Sequence, residues 1–410
     1  MITAFSENDP KAIQRMLILN RLQMARQAEY TGNTPWKFQA NQAYAAAQPC
    51  MSVIISLFNY RNYIVECLQS VVNSNLHSLP GSIEILVIDD SSTDDSAQLV
   101  EDFLLQTDIP LALVTKVYNT GLADVRNLGL KLSRAAYCFI LDADNWIYPN
   151  CLALLYKEIS DSEYAAVYNT IVRFDDKTGE KLDLISQFEW DPCELVRRPY
   201  IDAMALFNRN ILLKLGGYST ELVEHGWFGL EDYELWLKLA QNGYTARLIP
   251  RILSAYRLHF NSMLNTTNLY ALKLNNHLGQ KFAQLISLYP NLDRYFGFEP
   301  DYEGCIDMIT LNYIRGWVWN RYQQNTPLLL NIYDYDKLIA TITANKFRLD
   351  VFESGKGTGS YGFQFTLPTN FRDGKSHLIR VKIAGRSHEL TGSPYLFNYN
   401  QLSQKETKNS

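Results

Sequence analysis

The sequence lacks several features that mark common classes of protein. Its six cysteines contain no Cys-x-x-Cys pair and stand far apart. A zinc site or a disulfide framework is therefore not expected, and a reducing compartment is the simpler interpretation. No apolar run approaches the roughly 18 residues that span a bilayer. The N-terminus has neither the basic segment nor the apolar stretch of a signal peptide.

Concentrated positive charge is also missing. The chain has 38 basic and 43 acidic side chains, a formal net charge of −5, and no Lys/Arg cluster. Because binding to nucleic acid depends on neutralising phosphates, a nucleic-acid partner is not expected. We expect a cytoplasmic protein, with peripheral association at the inner face of the cytoplasmic membrane as the alternative.

What is present is the composition of an ordinary globular protein. The 410 residues are 47% hydrophobic and 20% charged, which predicts two or three domains with a substantial core. Residues 1–48 are predicted to form an N-terminal helical extension, with Asp9 as N-cap, Pro10 at the first helical position, and a linker from residue 29 onward. The apolar face of this helix is predicted to contain Ile13, Met16, Leu17 and Met24.

Residues 49–300 are predicted to form an α/β domain. Apolar strands at 52–58, 83–88, 111–117 and 137–141 alternate with amphipathic helices, and this order predicts a mostly parallel, doubly wound sheet. Ligands of such a sheet gather at the carboxyl ends of its strands. Polar residues stand at those ends, namely Asn59, Asp89, Asp90, Asn119 and Asp142.

Residues 301–398 have a different pattern, in which short alternating runs are separated by Gly, Asp and Asn. This pattern predicts a small antiparallel β-sandwich domain, followed by a polar tail at residues 399–410. Trp317 and Trp319 share one strand face, where packing in the core is favoured over stacking on a sugar.

Asp142-Ala143-Asp144 directly follows an apolar strand. Two carboxylates at a strand end make a site of hard oxygen ligands, suited to Mg²⁺ or Mn²⁺ that is also held by substrate phosphates. An Asp-x-Asp on its own more often marks a solvated turn, so its position after the strand is what favours the metal site.

A second acidic pair, Glu231-Asp232, stands at the start of a predicted helix. The helix dipole favours acidic residues there, and Asp232 is equally well interpreted as a general base. His259 follows a predicted strand, and an imidazole can join a Mn²⁺ site, although a structural role is more common.

Seven motifs together resemble the family 2 glycosyltransferases. They occur in the family's order and spacing over roughly half of the chain: Ser52–Tyr60, Ile85–Asp94, Asn119–Gly129, Asp142–Asp144, Gly216–Tyr218, Glu231-Asp232 and Tyr256–His259. The resemblance implies the GT-A fold, a single nucleotide-binding α/β domain. Two departures, Ser56 for the usual Pro and Asn145 for a common Asp, remove no charge that the chemistry needs.

The resemblance also implies roles for single residues. The residues implied to bind the nucleotide sugar are Ser56, Phe58, Asn59, Tyr60, Asp90, Arg126 and Asp142. The metal ligands implied are Asp144 and His259, and Asp232 is implied as the base that deprotonates the acceptor. Apart from the resemblance, Trp227 and Phe228 stand just before the Glu-Asp pair, where they are equally well interpreted as an aromatic face for an acceptor sugar or as packing beneath the helix, and Glu231 is a candidate acceptor contact.

The implied reaction is metal-dependent sugar transfer with inversion. A single base without a paired carboxylate nucleophile favours direct displacement, whereas glycosidases use two carboxyl groups. We expect a UDP- or dTDP-sugar donor, a glycan or glycolipid acceptor, and Mn²⁺ or Mg²⁺, in the synthesis of surface polysaccharide or glycoconjugate. The alternatives are a non-catalytic carbohydrate-binding or scaffold protein and, with less support, a sugar-1-phosphate nucleotidyltransferase, which would need a Lys-containing glycine-rich loop.

Overall fold

The computed structural model describes residues 12–226, 229–259, 271–289, 302–320, 327–335, 337–384 and 389–400. The chain divides into two compact units, Met1–Gly297 and Phe298–Ser410.

The first unit contains a ten-stranded sheet. Its strands are β1 (Trp36–Ala40), β2 (Pro49–Leu57), β3 (Ser82–Asp89), β4 (Leu111–Lys116), β5 (Tyr137–Asp142), β6 (Trp146–Ile147), β7 (Ala166–Asp175), β8 (Lys181–Ile185), β9 (Ala205–Asn208) and β10 (Ala246–Leu258). Their order in the sheet is β1-β4-β3-β2-β5-β9-β7-β10-β6, and β8 pairs with β7.

Helices follow most of these strands. They are α1 (Ala12–Tyr30), α2 (Gln42–Ala46), α3 (Ile64–Val72), α4 (Ser96–Leu104), α5 (Leu122–Leu132), α6 (Cys151–Ser160), α7 (Pro192–Arg197), α8 (Arg209–Lys214), α9 (Leu222–His225), α10 (Glu231–Gln241), α11 (Ala271–Lys281) and α12 (Ala283–Ser287). Within the described residues, no helix is both long and apolar enough to cross a membrane.

The centre of the sheet is parallel. Strands β4, β3, β2 and β5 pair side by side in one direction, and β10 pairs in parallel with β7. The predicted mostly parallel, doubly wound sheet is confirmed. From Met51 to Leu57 every residue of β2 is buried, because both faces of a parallel sheet are covered, and this explains the continuous apolar run in the sequence.

The register brings the polar strand ends together. Ser56 of β2 lies beside Asp142 of β5, and Leu57 lies beside Asp89 of β3. Asp90 follows directly, and its N–H donates to the carbonyl of Leu57 (2.9 Å). Four acidic or hydroxyl side chains, those of Ser56, Asp89, Asp90 and Asp142, therefore stand at one edge of the sheet.

Helix α1 lies where a helix was predicted, but it buries the other face. Ile18, Leu22 and Arg15 point inward, while the residues predicted to be buried are exposed, namely Ile13, Met16, Leu17 and Met24. Both faces carry apolar residues, so periodicity alone does not distinguish them. Polar contacts fix the orientation: Arg26 donates to Thr220 Oγ1 (2.8 Å).

The predicted linker before residue 48 contains a strand of the main sheet. β1 pairs antiparallel with β4, with Trp36 opposite Lys116, and Asn41 then begins α2 by accepting a hydrogen bond from the N–H of Tyr44. The prediction of a linker is wrong here. As an edge strand, β1 leaves four of its five residues exposed, so no apolar alternation marks it in the sequence.

The second unit has two four-stranded sheets. The strands are β11 (Tyr302–Ile309), β12 (Tyr313–Asn320), β13 (Leu328–Asp334), β14 (Lys337–Ala344), β15 (Lys346–Phe347), β16 (Ser360–Thr366), β17 (Ser376–Ile383) and β18 (Tyr395–Asn398), and the one α-helix among its described residues is α13 (Leu349–Glu353). The sheets are ordered β11-β12-β16-β15 and β14-β13-β17-β18, with antiparallel pairs throughout.

A shared apolar core joins these two sheets. Val318 and Phe363 from one sheet and Ile332, Val381 and Phe397 from the other belong to a single buried cluster. The predicted antiparallel β-sandwich is confirmed. Within it Trp319 is buried, and Lys356 Nζ lies 5.3 Å from the centroid of its ring, which agrees with packing rather than with an open sugar platform.

Candidate active site

Residues from distant parts of the sequence meet at the carboxyl ends of β2, β3 and β5. The start of α5, the start of α10 and the segment after β10 complete this site. The predicted residues that it brings together are Tyr60, Arg126, Asp142, Asp144, Glu231, Asp232 and His259.

Arg126 on α5 connects the two acidic motifs. Its guanidinium donates to Asp142 Oδ1 (2.9 Å) and to Glu231 Oε1 (3.0 Å), and the side chain is only 2% exposed. Although burial opposes the charge, these two carboxylates raise the pKa of Arg126, so the guanidinium stays charged. The Asp-x-Asp and Glu-Asp motifs are thus held on two sides of one cation.

Glu231 is fully used by these contacts. Its second oxygen, Oε2, accepts a hydrogen bond from the N–H of Gly229 (2.7 Å), and the residue is 3% exposed. The carboxylate therefore holds the start of α10 in place and presents little surface to a sugar. These contacts leave Glu231 little capacity for the acceptor contact that the sequence predicts, which stays a prediction.

Asp144 pairs with the histidine of the site. Its Oδ2 lies 3.0 Å from His259 Nε2. Burial raises the pKa of Asp144, and the hydrogen bond from His259 only partly opposes this. Tyr60 also hydrogen-bonds to Asp144, and burial together with the charges of Asp144 and Asp142 raises the pKa of this phenol.

The pair Asp144 and His259 fits a divalent cation. Their side-chain atoms are close enough to ligate one ion, and a cation would relieve the buried negative charge of Asp144. Asp142 is less suited, because Arg126 already binds its two oxygens at 2.9 and 3.2 Å. Within the described residues, no group of three His, Cys, Asp or Glu side chains is arranged around one ion. A metal at such a site would complete its coordination with phosphate oxygens and water, and the imidazole of His259 favours a transition-metal ion such as Mn²⁺ over Mg²⁺.

Arg257 fixes this part of the site. Its Nε donates to the carbonyl of Asp144 (2.8 Å), its N–H donates to Asn145 Oδ1 (2.9 Å), and its guanidinium pairs with Asp176 and Glu66. The strand end that carries His259 is therefore tied to the loop that carries Asp144. Sequence analysis gives Arg257 no role, although it stands inside the Tyr-Arg-Leu-His motif.

Asp90 is buried and bound by donors from the protein. Oδ1 accepts from the Thr120 N–H (3.0 Å) and pairs with Lys116 Nζ (2.9 Å), and Oδ2 accepts from the Gly121 N–H (2.8 Å). Asp124 pairs with the same ammonium (2.7 Å). A carboxylate has about four lone-pair positions, so Asp90 keeps little capacity for a nucleoside. The sequence signals for Lys116 were a cation at a strand end and Asp124 eight residues later.

The residues of the predicted nucleoside-binding segment, 56–60, differ in burial and in hydrogen bonding. Ser56 is buried, and its Oγ has no hydrogen-bond partner among the residues that the structure describes, whereas Phe58 is exposed. Asn59 has a positive φ of 56° and is tied to the next loop, since its Oδ1 accepts from the N–H of Thr93 (2.8 Å). Ser56 and Phe58 keep surface or bonding capacity for a ligand, while Asn59 shapes the loop.

Asn127 explains the Gly-Gly-Tyr motif. Its side-chain amide binds both the N–H and the carbonyl of Tyr218 (2.8 Å each), which places the Tyr218 ring with its centroid 5.3 Å from Arg126 Cζ. Gly217 has φ +66°, and a Cβ there would stand 2.3 Å from Asn127 Oδ1. Only glycine fits this close approach without displacing Asn127.

Asp232 is a half-buried carboxylate whose pKa is shifted. Burial, then the charges of Glu231 and Asp202, raise the pKa of Asp232 well above its ordinary value. Burial also raises the pKa of Asp202 to about 6, with Asp142 and Asp144 adding to the effect. Sequence analysis misses Asp202, which belongs to none of the quoted motifs. Trp227 and Phe228, predicted to contact an acceptor, lie outside the described residues.

Part of the chain is similar to known proteins. Residues 52–217 match the family model described as Glycosyl transferase family 2. Glycosyltransferase GlyG of Streptococcus pneumoniae serotype 4 is 26% identical over 32% of this chain and 41% of its own length. Chondroitin synthase of Escherichia coli is 27% identical over 48% of this chain and 27% of its own length.

A third relative is the minor teichoic acid biosynthesis protein GgaA of Bacillus subtilis, 33% identical over 32% of this chain and 28% of its own length. The chain thus spans less than half the length of each of these curated relatives. Among solved structures, S. aureus TarS 1-349 in complex with UDP-GlcNAc is similar over 58% of this chain and 71% of that chain, with 18% identity and a TM-score of 0.44.

Proposed function

We propose that the chain is an inverting, metal-dependent glycosyltransferase, because residues 52–217 match the family model described as Glycosyl transferase family 2. It moves a sugar from a nucleotide diphosphate donor to a hydroxyl group of a glycan or glycolipid. The names of two relatives, a chondroitin synthase and a teichoic acid biosynthesis protein, support a role in the synthesis of surface polysaccharide or glycoconjugate.

The observation that carries this proposal is the double contact of Arg126. One guanidinium binds Asp142 of the Asp-x-Asp motif and Glu231, the neighbour of Asp232. A donor phosphate near Asp144 and an acceptor hydroxyl near Asp232 would therefore be held on a common frame. Such fixed geometry is the main source of rate in a displacement between two bound substrates.

Asp232 serves as the general base. Its carboxylate takes the proton of the acceptor hydroxyl as that oxygen forms a bond to the anomeric carbon, and the bond from this carbon to the diphosphate oxygen breaks with its electron pair. The raised pKa of Asp232 makes its carboxylate a stronger base than an exposed aspartate. Direct displacement inverts the anomeric configuration.

Asp144 and His259 would hold the divalent metal. When bound, a metal neutralises the charge that develops on the leaving diphosphate. The residues of the chain prepare for this: Asp144 is kept in place by His259 and Tyr60, and Arg257 fixes the surrounding loop.

The test is turnover of a panel of nucleotide sugars (UDP-GlcNAc, UDP-glucose, UDP-galactose, a dTDP-sugar and GDP-mannose) with Mn²⁺ and with a chelator. We expect metal-dependent release of nucleoside diphosphate for one donor or a few, and an acceptor product with inverted anomeric configuration by NMR. A retained configuration would contradict direct displacement.

Metal removal is checked separately by calorimetry of UDP and GDP. The wild type should bind its preferred diphosphate more tightly with Mn²⁺ than with chelator, and Asp144→Ala should lose this difference. Asp175→Ala, which removes an exposed turn carboxylate, is the control. If the wild type binds the nucleoside diphosphate equally tightly with Mn²⁺ and with chelator, the proposed role of the metal in binding is wrong.

A further inference from the structure

Asp202 is an acidic residue of the site that no motif accounts for. It precedes β9, and three hydrogen bonds from different segments hold it: its N–H donates to Ser186 Oγ (2.9 Å), its Oδ1 accepts from the Met204 N–H (2.9 Å), and its carbonyl accepts from Trp236 Nε1 (3.3 Å). The backbone and one carboxylate oxygen are therefore fixed, which gives the second oxygen a defined direction.

Part of this support is a strained residue. Ser186 is buried and has a φ of +52°, in the left-handed region that L-residues other than Asn and Asp seldom adopt. Its hydroxyl is the group that receives the Asp202 N–H. Residues in such conformations cluster at functional sites, where the surrounding structure maintains the strain.

The second oxygen of Asp202, Oδ2, has no protein donor, and no ion pair involves Asp202 within the described part of the chain. The side chain is only half-buried, so it keeps surface open to the site. A carboxylate in this position, close to three other carboxylates and without a cation of its own, is costly to maintain. That cost is offset when a ligand supplies the missing donor.

The position of Asp202 indicates which ligand this is. Trp236, whose indole N–H donates to the Asp202 carbonyl, lies one turn after Asp232 on α10, so Asp202 lies beside the helix turn that carries the base. The charges of Asp142 and Asp144 at the metal motif also raise the pKa of Asp202. During transfer, the donor sugar must lie between the diphosphate and the acceptor hydroxyl, and so between these same groups. Sugar hydroxyls are hydrogen-bond donors that a free carboxylate oxygen accepts readily.

We propose that Asp202 binds a hydroxyl group of the donor sugar through Oδ2 and thereby helps to determine which sugar the enzyme accepts. This inference rests on the proposed glycosyltransferase function and adds to it a specificity-determining residue outside the family motifs. The residues that we assign to the nucleotide and its diphosphate are others, namely Ser56, Phe58 and Asp144, so this inference gives Asp202 a role in recognition of the sugar alone.

The variant that isolates this role is Asp202→Asn. The amide oxygen can still accept from the Met204 N–H, so the local turn is kept, while Oδ2 becomes an NH₂ group. Asp191→Asn is a matched control, because Asp191 Oδ1 accepts in the same way from the N–H of Cys193, two residues on (2.8 Å). Asp191 is exposed and lies outside the site.

Calorimetry in Mn²⁺ measures UDP and GDP alone and the intact donors UDP-GlcNAc, UDP-glucose, UDP-galactose and GDP-mannose. We expect Asp202→Asn to bind the nucleoside diphosphate within twofold of the wild type and the preferred nucleotide sugar about 10- to 100-fold more weakly, the range for a hydrogen bond to a charged group. The differences in affinity among the donor sugars should also become smaller in Asp202→Asn. Asp191→Asn should match the wild type in every measurement.

Two results would overturn the inference. Unchanged binding of the nucleotide sugar by Asp202→Asn would show that Oδ2 does not contact the sugar. An equal loss of diphosphate and nucleotide sugar would show that Asp202 only supports the fold. A wild type that binds no nucleoside diphosphate would instead overturn the proposed function, and with it this inference, so the two failures are distinct.

Discussion

At the scale of single residues, Arg126 balances the charge of the site. It is a buried cation whose two partners, Asp142 and Glu231, come from different elements. A buried ion pair adds little net stability over an apolar replacement, but removal of one partner leaves a buried charge without compensation. Removal of the Arg126 guanidinium would leave the carboxylates of Asp142 and Glu231 without their cation, next to the carboxylate of Asp232.

Replacement of this cation should therefore be severe. We expect Arg126→Met to lower the free energy of unfolding by about 3–5 kcal/mol, the cost of an uncompensated buried charge. Arg173→Met is the control, because Arg173 pairs with Asp183 in a partly exposed bridge that is worth about 1 kcal/mol or less. Urea denaturation measures both, and similar losses would mean that Arg126 is not the charge centre of the site.

Asp232 gives a kinetic prediction. Asp232→Asn should lower kcat by about two to four powers of ten, the usual effect of losing a general base, with little change in donor affinity. Because the base must be ionised, the wild-type rate should rise with pH through the raised pKa of Asp232, above the ordinary value of 3.8, and this rise should vanish in the variant. Normal turnover with lost donor binding would place Asp232 in the nucleotide site.

Site residues with a local sequence feature could be predicted, whereas residues whose roles depend on distant partners could not. Asp142 and Asp144 could be predicted because a strand end and a two-residue spacing are local features, and both lie at the predicted sheet edge. Asp202 and Arg257 could not be assigned, since their roles depend on partners far away in the chain, such as Trp236 and Glu66. The ion pair between Glu231 and Arg126 joins residues 105 positions apart. No local pattern in the sequence indicates it, so the sequence alone leaves Glu231 available as an acceptor contact.

At the scale of elements, close packing of α5 on β2 supports the site. Gly129 of α5 faces Ile54 of β2, and a Cβ on Gly129 would lie 2.4 Å from Ile54 Cγ2. This approach brings Arg126, one turn earlier in the helix, over the carboxyl end of the sheet. The glycine is thus required by packing within an otherwise regular helix.

Gly129→Ala should destabilise the protein by about 1–3 kcal/mol through overpacking, although alanine favours a helix over glycine by about 1 kcal/mol. In an Ile54→Ala background the clash is absent, and the same substitution should be neutral or stabilising. Thermal or urea unfolding of the four proteins forms a double-mutant cycle. Additive effects would contradict the packing explanation.

Which elements could be predicted also has a physical reason. The buried strands β2 to β5 are unbroken apolar runs, because parallel strands are covered on both faces, and β13 and β17 alternate because one face is solvated. In contrast, β1 is a short edge strand and α1 has apolar residues on two faces. Their placement depends on β4 and Thr220, which lie far along the chain.

At the scale of the whole molecule, the described site residues lie in the first unit. Truncation after residue 297, the end of that unit, should leave a folded protein that turns over donor with a short acceptor. We propose that residues 301–398 bind a long acceptor, so truncation should lower the rate on a long glycan more than on a short one, because a tether raises effective concentration. Initial rates on both acceptors are the measurement, and equal fractional losses would make the second unit a structural element only.

The pairing of β1 with β4 has a consequence for biosynthesis. Trp36 leaves the ribosome long before its partner Lys116, and at roughly 5–20 residues per second the interval of about 80 residues lasts roughly 4–16 s. During that time the backbone groups of β1 lack their partners in β4, while β2 and β3 have both been synthesised and can pair with each other. At this edge the order of translation opposes the order in space, because β1 is synthesised before β2 and β3 but pairs only with β4, which follows them.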